Sequence, residues 1–149
     1  MFSSIIWATD GSTHADRALP YVEELAKRFL ARVVVVHVDQ RFVGRGGGYP
    51  VLADEPELEV KVREQTDRLV EHGIDASCRI LTATMHTPGD LIADLAREID
   101  ADLIVVGSHG RGAIASAVVG SVTDRLLRVA SCPVFAVPVH AAAKQPALD

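Results

Sequence analysis

The sequence predicts an α/β fold in which helices cover both faces of a parallel sheet. Apolar, β-branched runs alternate along the chain with segments whose apolar residues recur at helical spacing, and this alternation is typical of right-handed β-α-β units. The run at residues 33–38 is Val-Val-Val-Val-His-Val, which is typical of a strand covered on both faces. The 149 residues suffice for one core. We therefore predict a single doubly wound domain.

Five short runs predict the strands. Each is apolar or alternates between apolar and polar residues, and turn-forming residues bound it. The first ends at Thr9-Asp10-Gly11-Ser12, and the fourth, Leu-Ile-Val-Val, leads directly into glycines. In chain order the predicted strands are Ser4–Ala8, Val33–Val38, Ala76–Leu81, Leu103–Val106 and Pro133–Val139.

Four segments predict the helices. Pro20 interrupts the first, so that helix is either kinked there or begins later. Gly73 follows the second where helices commonly stop, and Thr87-Pro88 opens the third with proline at a favoured early position. The helices are Thr13–Leu30, Glu57–His72, Thr87–Ile99 and Ser121–Ala130. Their expected inward residues are Ala18, Val22, Leu25 and Phe29 on the first, Leu58, Val62, Gln65 and Leu69 on the second, and Leu91, Leu95 and Ile99 on the third.

Two segments follow neither pattern. Arg41–Pro56 is rich in glycine and proline, and we expect a long, mobile loop there. Whether its Gly44–Pro50 part closes over a ligand stays open. Ala141–Asp149 is expected to be a flexible tail. We therefore assign residues 1–140 to the domain and residues 141–149 to the tail.

Composition limits the partners. The formal net charge of −5 provides no basic field for nucleic acid, and the apolar runs are too short for a membrane span. The start of the chain lacks the basic region of a signal peptide. Cys78 and Cys132 allow one disulfide but no framework. We expect a cytoplasmic protein that binds neither nucleic acid nor membrane.

The most specific feature is a pair of glycine motifs around the last helix. Gly107-Ser108-His109-Gly110-Arg111-Gly112 follows the fourth strand, and Gly120-Ser121-Val122-Thr123 opens the helix. Glycines let backbone N–H groups approach a phosphate, and a helix N-terminus offers unpaired donors. The spacing matches neither a Walker A motif nor the dinucleotide fingerprint. Two simpler roles stay open: such glycines can pack a helix against a strand, and Ser121 and Thr123 can cap the helix.

The predicted topology brings these motifs to one edge of the sheet. In open α/β sheets, ligands bind beyond the carboxyl ends of the strands, where the strand order reverses. If the first and fourth strands are neighbours, three segments meet there: Ala8-Thr9-Asp10, Val38-Asp39 and the chain from Gly107. A nucleotide site at this edge is therefore the working hypothesis.

The chain resembles the ATP-binding type of the universal stress protein family. The signature of that type is Gly, two residues, Gly, nine residues, then Gly with Ser or Thr. It is matched here by Gly107, Gly110, Gly120 and Ser121. Further similar stretches are Ala8–Ser12, Asp102–Gly107 and Ser131–Val134, and the resemblance spans residues 2 to about 139. Ala8 departs from the pattern, since many members have proline there.

The resemblance implies a Rossmann-like sheet of five parallel strands, in the order 3-2-1-4-5, that binds ATP or another adenine nucleotide. It also implies a homodimer through the last strand, Val134–Val137. Ala8, Thr9 and Val38 would line the adenine and ribose, and Asp10 would lie near the ribose and phosphates. The other expected nucleotide-binding residues are Gly107, Ser108, His109, Gly110, Arg111, Gly112, Gly120, Ser121, Val122 and Thr123. Mg²⁺ or Mn²⁺ would be held mainly by the phosphates, and no protein metal-ligand set is predicted.

Catalysis is not expected. Asp10, His37 and His109 are the candidate groups, and they belong to no recognisable catalytic set. His37 lies inside an apolar strand and is predicted to be a packed, hydrogen-bonded histidine, while His109 either approaches a phosphate or is exposed. The resemblance implies a nucleotide-dependent regulatory protein of the stress response. The alternatives are a slow ATPase or autophosphorylating enzyme, an AMP or cyclic AMP binder, and an interaction protein without nucleotide.

Overall fold

The computed structural model describes residues 1–41, 55–109 and 119–140. Five strands form one parallel sheet in the order β3-β2-β1-β4-β5, and helices cover both of its faces. The strands are β1 (Ser4–Ala8), β2 (Arg32–Gln40), β3 (Ala76–Ala83), β4 (Leu103–Gly107) and β5 (Val134–Val137). The helices are α1 (Thr13–Asp16), α2 (Leu19–Phe29), α3 (Glu55–Glu71), α4 (Pro88–Glu98) and α5 (Ser121–Val129). The predicted fold class and strand order are confirmed.

The central strand β1 divides the core into two layers. All five of its residues are buried, and because side chains alternate along a strand, Trp7 faces one layer and Ile6 the other. Trp7 packs in the layer of α2 and α3, which includes Val22 and Val62. Ile6 packs in the layer of α4 and α5, which includes Leu126. A strand buried on both faces explains the unbroken apolar run in the sequence.

The first predicted helix is two helices. α1 is capped at Ser12, whose Oγ accepts the N–H of Ala15 at 3.2 Å, and it ends at Asp16. α2 then begins at Leu19 with Pro20 in its first turn, where the missing N–H of proline costs nothing. The helix that contains Pro20 therefore begins later than Thr13, which confirms one of the two alternatives. A separate short helix, α1, precedes it.

Several predicted boundaries were wrong by a few residues. β2 and β3 each run two residues further, because they continue to pair as far as Gln40 and Ala83. α3 begins at Glu55 rather than Glu57, so the predicted loop is wrong in its last two residues. β5 ends at Val137 rather than Val139, since Pro138 cannot donate to a ladder. Residues 42–54 and the predicted tail lie outside the described residues.

The expected inward faces are largely confirmed, with a rotation of α4. Leu95 is buried as predicted, but Leu91 and Ile99 are half-buried, and Ile92 and Ala93 take the central positions. α4 packs on α5 as well as on the sheet, which shifts its buried face. On α2, Phe29 is 37% exposed.

Both cysteines are free thiols, so the possible disulfide does not form. Burial raises the pKa of each thiol, Cys78 and Cys132. In the part of the chain that the structure describes, every helix is too short or too polar to cross a bilayer.

Candidate functional site

A cleft opens at the carboxyl edge of the sheet, where β1, β2 and β4 end. The strand order reverses between β1 and β4, as it does at ligand sites of doubly wound folds. α4 and α5 form the opposite wall. The cleft is lined by Ala8, Thr9, Asp10, Ala15, Val36, Val38, Gln40, Pro88, Ile92, Val106, Gly107, His109, Val122 and Thr123.

The turn after β1 is fixed by its own polar groups. The N–H of Thr9 donates to Val36 O at 2.9 Å, and the buried Thr9 Oγ1 accepts the N–H of Gly11 at 3.1 Å. Asp10 Oδ1 accepts the N–H of Ser12 at 2.9 Å. Gly11 adopts a φ of +78°, which glycine accommodates without strain. The floor of the cleft is therefore held by local hydrogen bonds.

The start of α5 is attached to the end of β4. The N–H of Gly120 donates to Ser108 O at 2.6 Å, and the N–H of Ser108 donates to Val137 O at 2.7 Å. Thr123 is buried, and its Oγ1 donates to Gly107 O at 2.8 Å. The Thr123 hydroxyl thus ties the first turn of α5 to the end of β4. Gly120, not Ser121, is the N-cap residue of α5.

Gly107 has a packing role. A Cβ atom there would lie 3.1 Å from the backbone oxygen of His14, which is tighter than ordinary contact, and 3.4 Å from Ala15 Cα. Glycine at the end of β4 thus favours the close approach of α1. Of the two roles that the sequence left open for this glycine, packing against a helix has direct support, and Gly107 also lines the cleft.

The structure gathers most of the predicted nucleotide-binding residues. Eight of them line the cleft: Ala8, Thr9, Asp10, Val38, Gly107, His109, Val122 and Thr123. Three stand beside it without lining it, namely Ser108, Gly120 and Ser121. Gly110, Arg111 and Gly112 lie outside the described residues, so their placement stays a prediction.

Six lining residues were missed by the sequence reasoning: Ala15, Val36, Gln40, Pro88, Ile92 and Val106. Val36 and Gln40 stand two positions either side of Val38, so the two-residue period of a strand indicates them once β2 is extended. Pro88 and Ile92 are four positions apart on α4 and share a helix face. These signals become usable only when the strand and helix bounds are known.

A buried polar pair supports the cleft from behind β2. His37 is 2% exposed, and its Nδ1 lies 3.0 Å from Thr9 O while its Nε2 bonds Glu55 Oε1. The ring therefore bridges a backbone carbonyl of the turn after β1 and a carboxylate of α3. The predicted packed, hydrogen-bonded histidine is confirmed, and it connects α3 to the end of β1.

Asp39 does not shape the cleft. It was expected there together with Val38, but β2 continues past both residues, and alternation turns Asp39 to the opposite face. Asp39 is 2% exposed, and Arg41 Nε donates to its Oδ2 at 2.8 Å. The expectation was wrong because the strand does not end where its apolar run ends.

An ion pair joins the two helices at the mouth. Asp90 Oδ1 accepts from Arg125 Nε at 2.9 Å, and Asp90 Oδ2 accepts from the Thr87 hydroxyl at 2.6 Å. These bonds, first that from Thr87 and then that from Arg125, lower the pKa of Asp90. The pair links the start of α4 to α5 and so positions Pro88 and Val122 in the cleft.

The fold and the cleft define a single-domain, doubly wound α/β protein with a ligand site at the carboxyl edge of its sheet. A family model described as "Universal stress protein family" matches residues 1–138. The chain belongs to the universal stress protein family.

Relatives and solved structures agree with this assignment. A universal stress protein of Thermus aquaticus is 31% identical over 145 residues, which cover 92% of this chain and 99% of the relative. The crystal structure of a family member from Burkholderia pseudomallei is 33% identical, with a TM-score of 0.70 over 92% of this chain and 96% of that one. A universal stress protein in complex with cAMP is 25% identical, with a TM-score of 0.69 over 93% and 98%.

Proposed function

We propose that this protein is a regulatory module that binds an adenine nucleotide, with ATP as the first candidate. The observation that carries the proposal is the cleft itself, which joins the ends of β1, β2 and β4 to the first turn of α5. A similar family member is in complex with cAMP, and the glycine signature supports a phosphate ligand. The cytoplasm is the proposed location.

The two ends of the cleft suit the two ends of a nucleotide. Val36, Val38, Ile92 and Val106 offer an apolar wall, which favours a flat base. The start of α5 offers the positive end of a helix dipole to phosphates. A divalent cation such as Mg²⁺ or Mn²⁺ would be held mainly by the phosphates. The proposed orientation therefore places the base against β2 and the phosphates at α5.

We propose sensing rather than turnover. The titratable side chains among the lining residues are Asp10 and His109. Asp10 already accepts the N–H of Ser12, and His109 Nδ1 lies 3.0 Å from Ser108 Oγ. Neither contact sets up the base and nucleophile that efficient phosphoryl transfer needs. A slow hydrolysis remains the second candidate, because these two groups do face the site.

A homodimer through β5 completes the proposal. β5 pairs with β4 and stands at the edge of the sheet, with Phe135 40% exposed. An apolar edge strand favours pairing with another chain. Pro138 limits that pairing to the four residues of β5.

The test is a thermal-shift titration of the full chain with ATP, ADP, AMP and cAMP, in the presence of Mg²⁺. A ligand that binds the folded state raises Tm, so at least one of the four should do so, and ATP should be recovered intact afterwards. The absence of a shift with all four at millimolar concentration would contradict the proposal. Steady phosphate release above the buffer background would favour the enzymatic alternative.

Gly120→Val locates the phosphate end. Gly120 has φ −66° and ψ 158°, which valine adopts without strain, so the variant should fold. Its side chain would stand where backbone is expected to approach phosphate, and we expect at least a tenfold loss of affinity. Leu127→Ala, on an exposed position of the same helix, is the control. Unchanged affinity in Gly120→Val would contradict the placement at α5.

A further inference from the structure

Three carboxylates converge on the face of β2 that is turned away from the cleft. Asp39 comes from β2, and Glu55 and Glu59 come from the first two turns of α3. One oxygen from each lies within 4.8 Å of the other two. Like charges so close together repel unless a positive charge lies between them. A positive charge among the three carboxylates would therefore stabilise the cluster.

Asp39 supplies an independent sign of a missing partner. Its side chain is nearly completely buried, and its Oδ2 accepts from Arg41 Nε. Its Oδ1 has no hydrogen-bond partner among residues 1–41, 55–109 and 119–140. A buried carboxylate oxygen without a donor or a cation is costly. Oδ1 is thus free to act as a ligand.

Within residues 1–41, 55–109 and 119–140, the ion pairs made with the cluster do not neutralise it. Arg41 pairs with Asp39, and His37 pairs with Glu55 through Oε1. Even with both of them charged, the three carboxylates keep a net negative charge. Lys61 lies on the same helix, but its Nζ donates to Gly11 O and Asp16 Oδ2. One positive ion among the carboxylates would complete the balance.

We propose that Asp39, Glu55 and Glu59 form a divalent-cation site of the Ca²⁺ class. Ca²⁺ takes carboxylate oxygens at about 2.3–2.6 Å, so oxygens up to about 5 Å apart can share one ion. Mg²⁺ needs a tighter octahedral set at about 2.0–2.1 Å. The site is separate from any ion held by phosphates, because Asp39 and Val38 project from opposite faces of β2.

The bound ion would fasten the start of α3 to the end of β2. Glu55 is the first residue of α3 and also the partner of His37, whose ring contacts the carbonyl of Thr9 in the cleft floor. The ion would therefore stabilise the strand and helix that support the nucleotide site without touching the nucleotide.

The experiment is isothermal titration calorimetry of the nucleotide-free, chelator-treated full chain with CaCl₂. We expect saturable binding of one Ca²⁺ per chain, weaker binding of Mg²⁺, and an increase in Tm at saturation. Glu59→Gln should weaken Ca²⁺ binding at least tenfold. Glu59 is half-buried, and the substitution keeps its size. Glu57→Gln, an exposed position in the same turn, is the matched control and should bind as the wild type does.

Three results would overturn the site. One is the absence of saturable binding up to roughly 10 mM Ca²⁺, beyond the weakest usual range of protein calcium sites. Another is equal weakening by Glu59→Gln and Glu57→Gln, which indicates screening of surface charge. The third is loss of binding in Asp10→Ala, which would move the ion to the cleft. Asp39→Asn provides a second test, because it changes another proposed ligand and should also weaken Ca²⁺ binding. Circular dichroism verifies that each variant is folded.

Discussion

The two faces of β2 carry opposite chemistry at the carboxyl end of the strand. Val36, Val38 and Gln40 line the cleft, where the wall is mostly apolar and open to a ligand. His37 and Asp39 alternate with them on the other face and are buried beneath α3. A shift of one residue in the pairing of β2 would exchange the two sets. The register of this one strand therefore decides where ligand chemistry and structural polarity lie.

One face of β2 serves ligand binding and the other serves structural support. Side chains on the cleft face have room beside them, so changing them should alter what binds. On the buried face, the His37 ring bonds Thr9 O and Glu55, and Asp39 pairs with Arg41 through one carboxylate oxygen. Changing either side chain should therefore alter stability. Buried, hydrogen-bonded networks of this kind are costly to break. Substitutions at neighbouring positions of β2 should therefore differ in effect: one alters ligand binding, and the next alters stability.

The largest stability effect is expected for His37→Ala. Removing the ring leaves the carboxylate of Glu55 buried without its partner, which costs about 3–5 kcal/mol in the free energy of unfolding. Urea denaturation measures the change. His72→Ala is the control, because His72 makes a similar contact with Glu23 but is 52% exposed, and there the loss should stay under about 0.5 kcal/mol. Equal losses of unfolding free energy in the two variants would contradict the view that the buried pair stabilises the fold more than the exposed pair does.

On the cleft face, Val38→Trp should weaken ligand binding and leave stability nearly unchanged. Tryptophan suits a strand, and Val38 is half-buried with space toward the cleft, so the free energy of unfolding should change by less than about 1 kcal/mol. The indole would fill the proposed base site, and ATP affinity measured by calorimetry should fall at least tenfold. Val60→Trp, at an exposed position of α3, controls for the added ring. Normal ATP affinity in Val38→Trp would contradict the placement of the base against this wall.

The sequence was sufficient to predict the fold and the edge of the sheet that carries the cleft. Alternating strand and helix patterns determine the doubly wound class, and the glycine motifs indicate the edge beyond β4. What could not be predicted depends on tertiary contacts. The extension of β2 to Gln40 comes from its pairing with β3, and without that extension Asp39 looks like a cleft residue.

The carboxylate cluster was beyond prediction for a related reason. Glu55 follows a glycine- and proline-rich stretch, whose composition indicates a loop rather than the first turn of a helix. Asp39 and Glu59 are 20 positions apart in the numbering and show no metal-ligand spacing. Similarly, nothing in the motif Gly-Ser-Val-Thr tells that the Thr123 hydroxyl donates to Gly107 O. Hydrogen-bond partners distant in the chain are set by packing, not by local pattern.

The smallest effect concerns the opposite edge of the sheet, where no ligand is expected. Asp102 Oδ2 accepts the N–H of Ser3 at 2.7 Å and of Ser4 at 3.0 Å, and these bonds lower the pKa of Asp102 below its ordinary value of 3.8. A carboxyl with a lowered pKa contributes stability above its ordinary pKa and loses that contribution as pH falls through its folded pKa. Between pH 7 and pH 3, thermal unfolding of Asp102→Asn should therefore be less sensitive to acid than that of the wild type. Nucleotide affinity at pH 7 should not change, since Asp102 lies at the far end of β4 from the cleft, and a loss of affinity would show that the two edges are coupled.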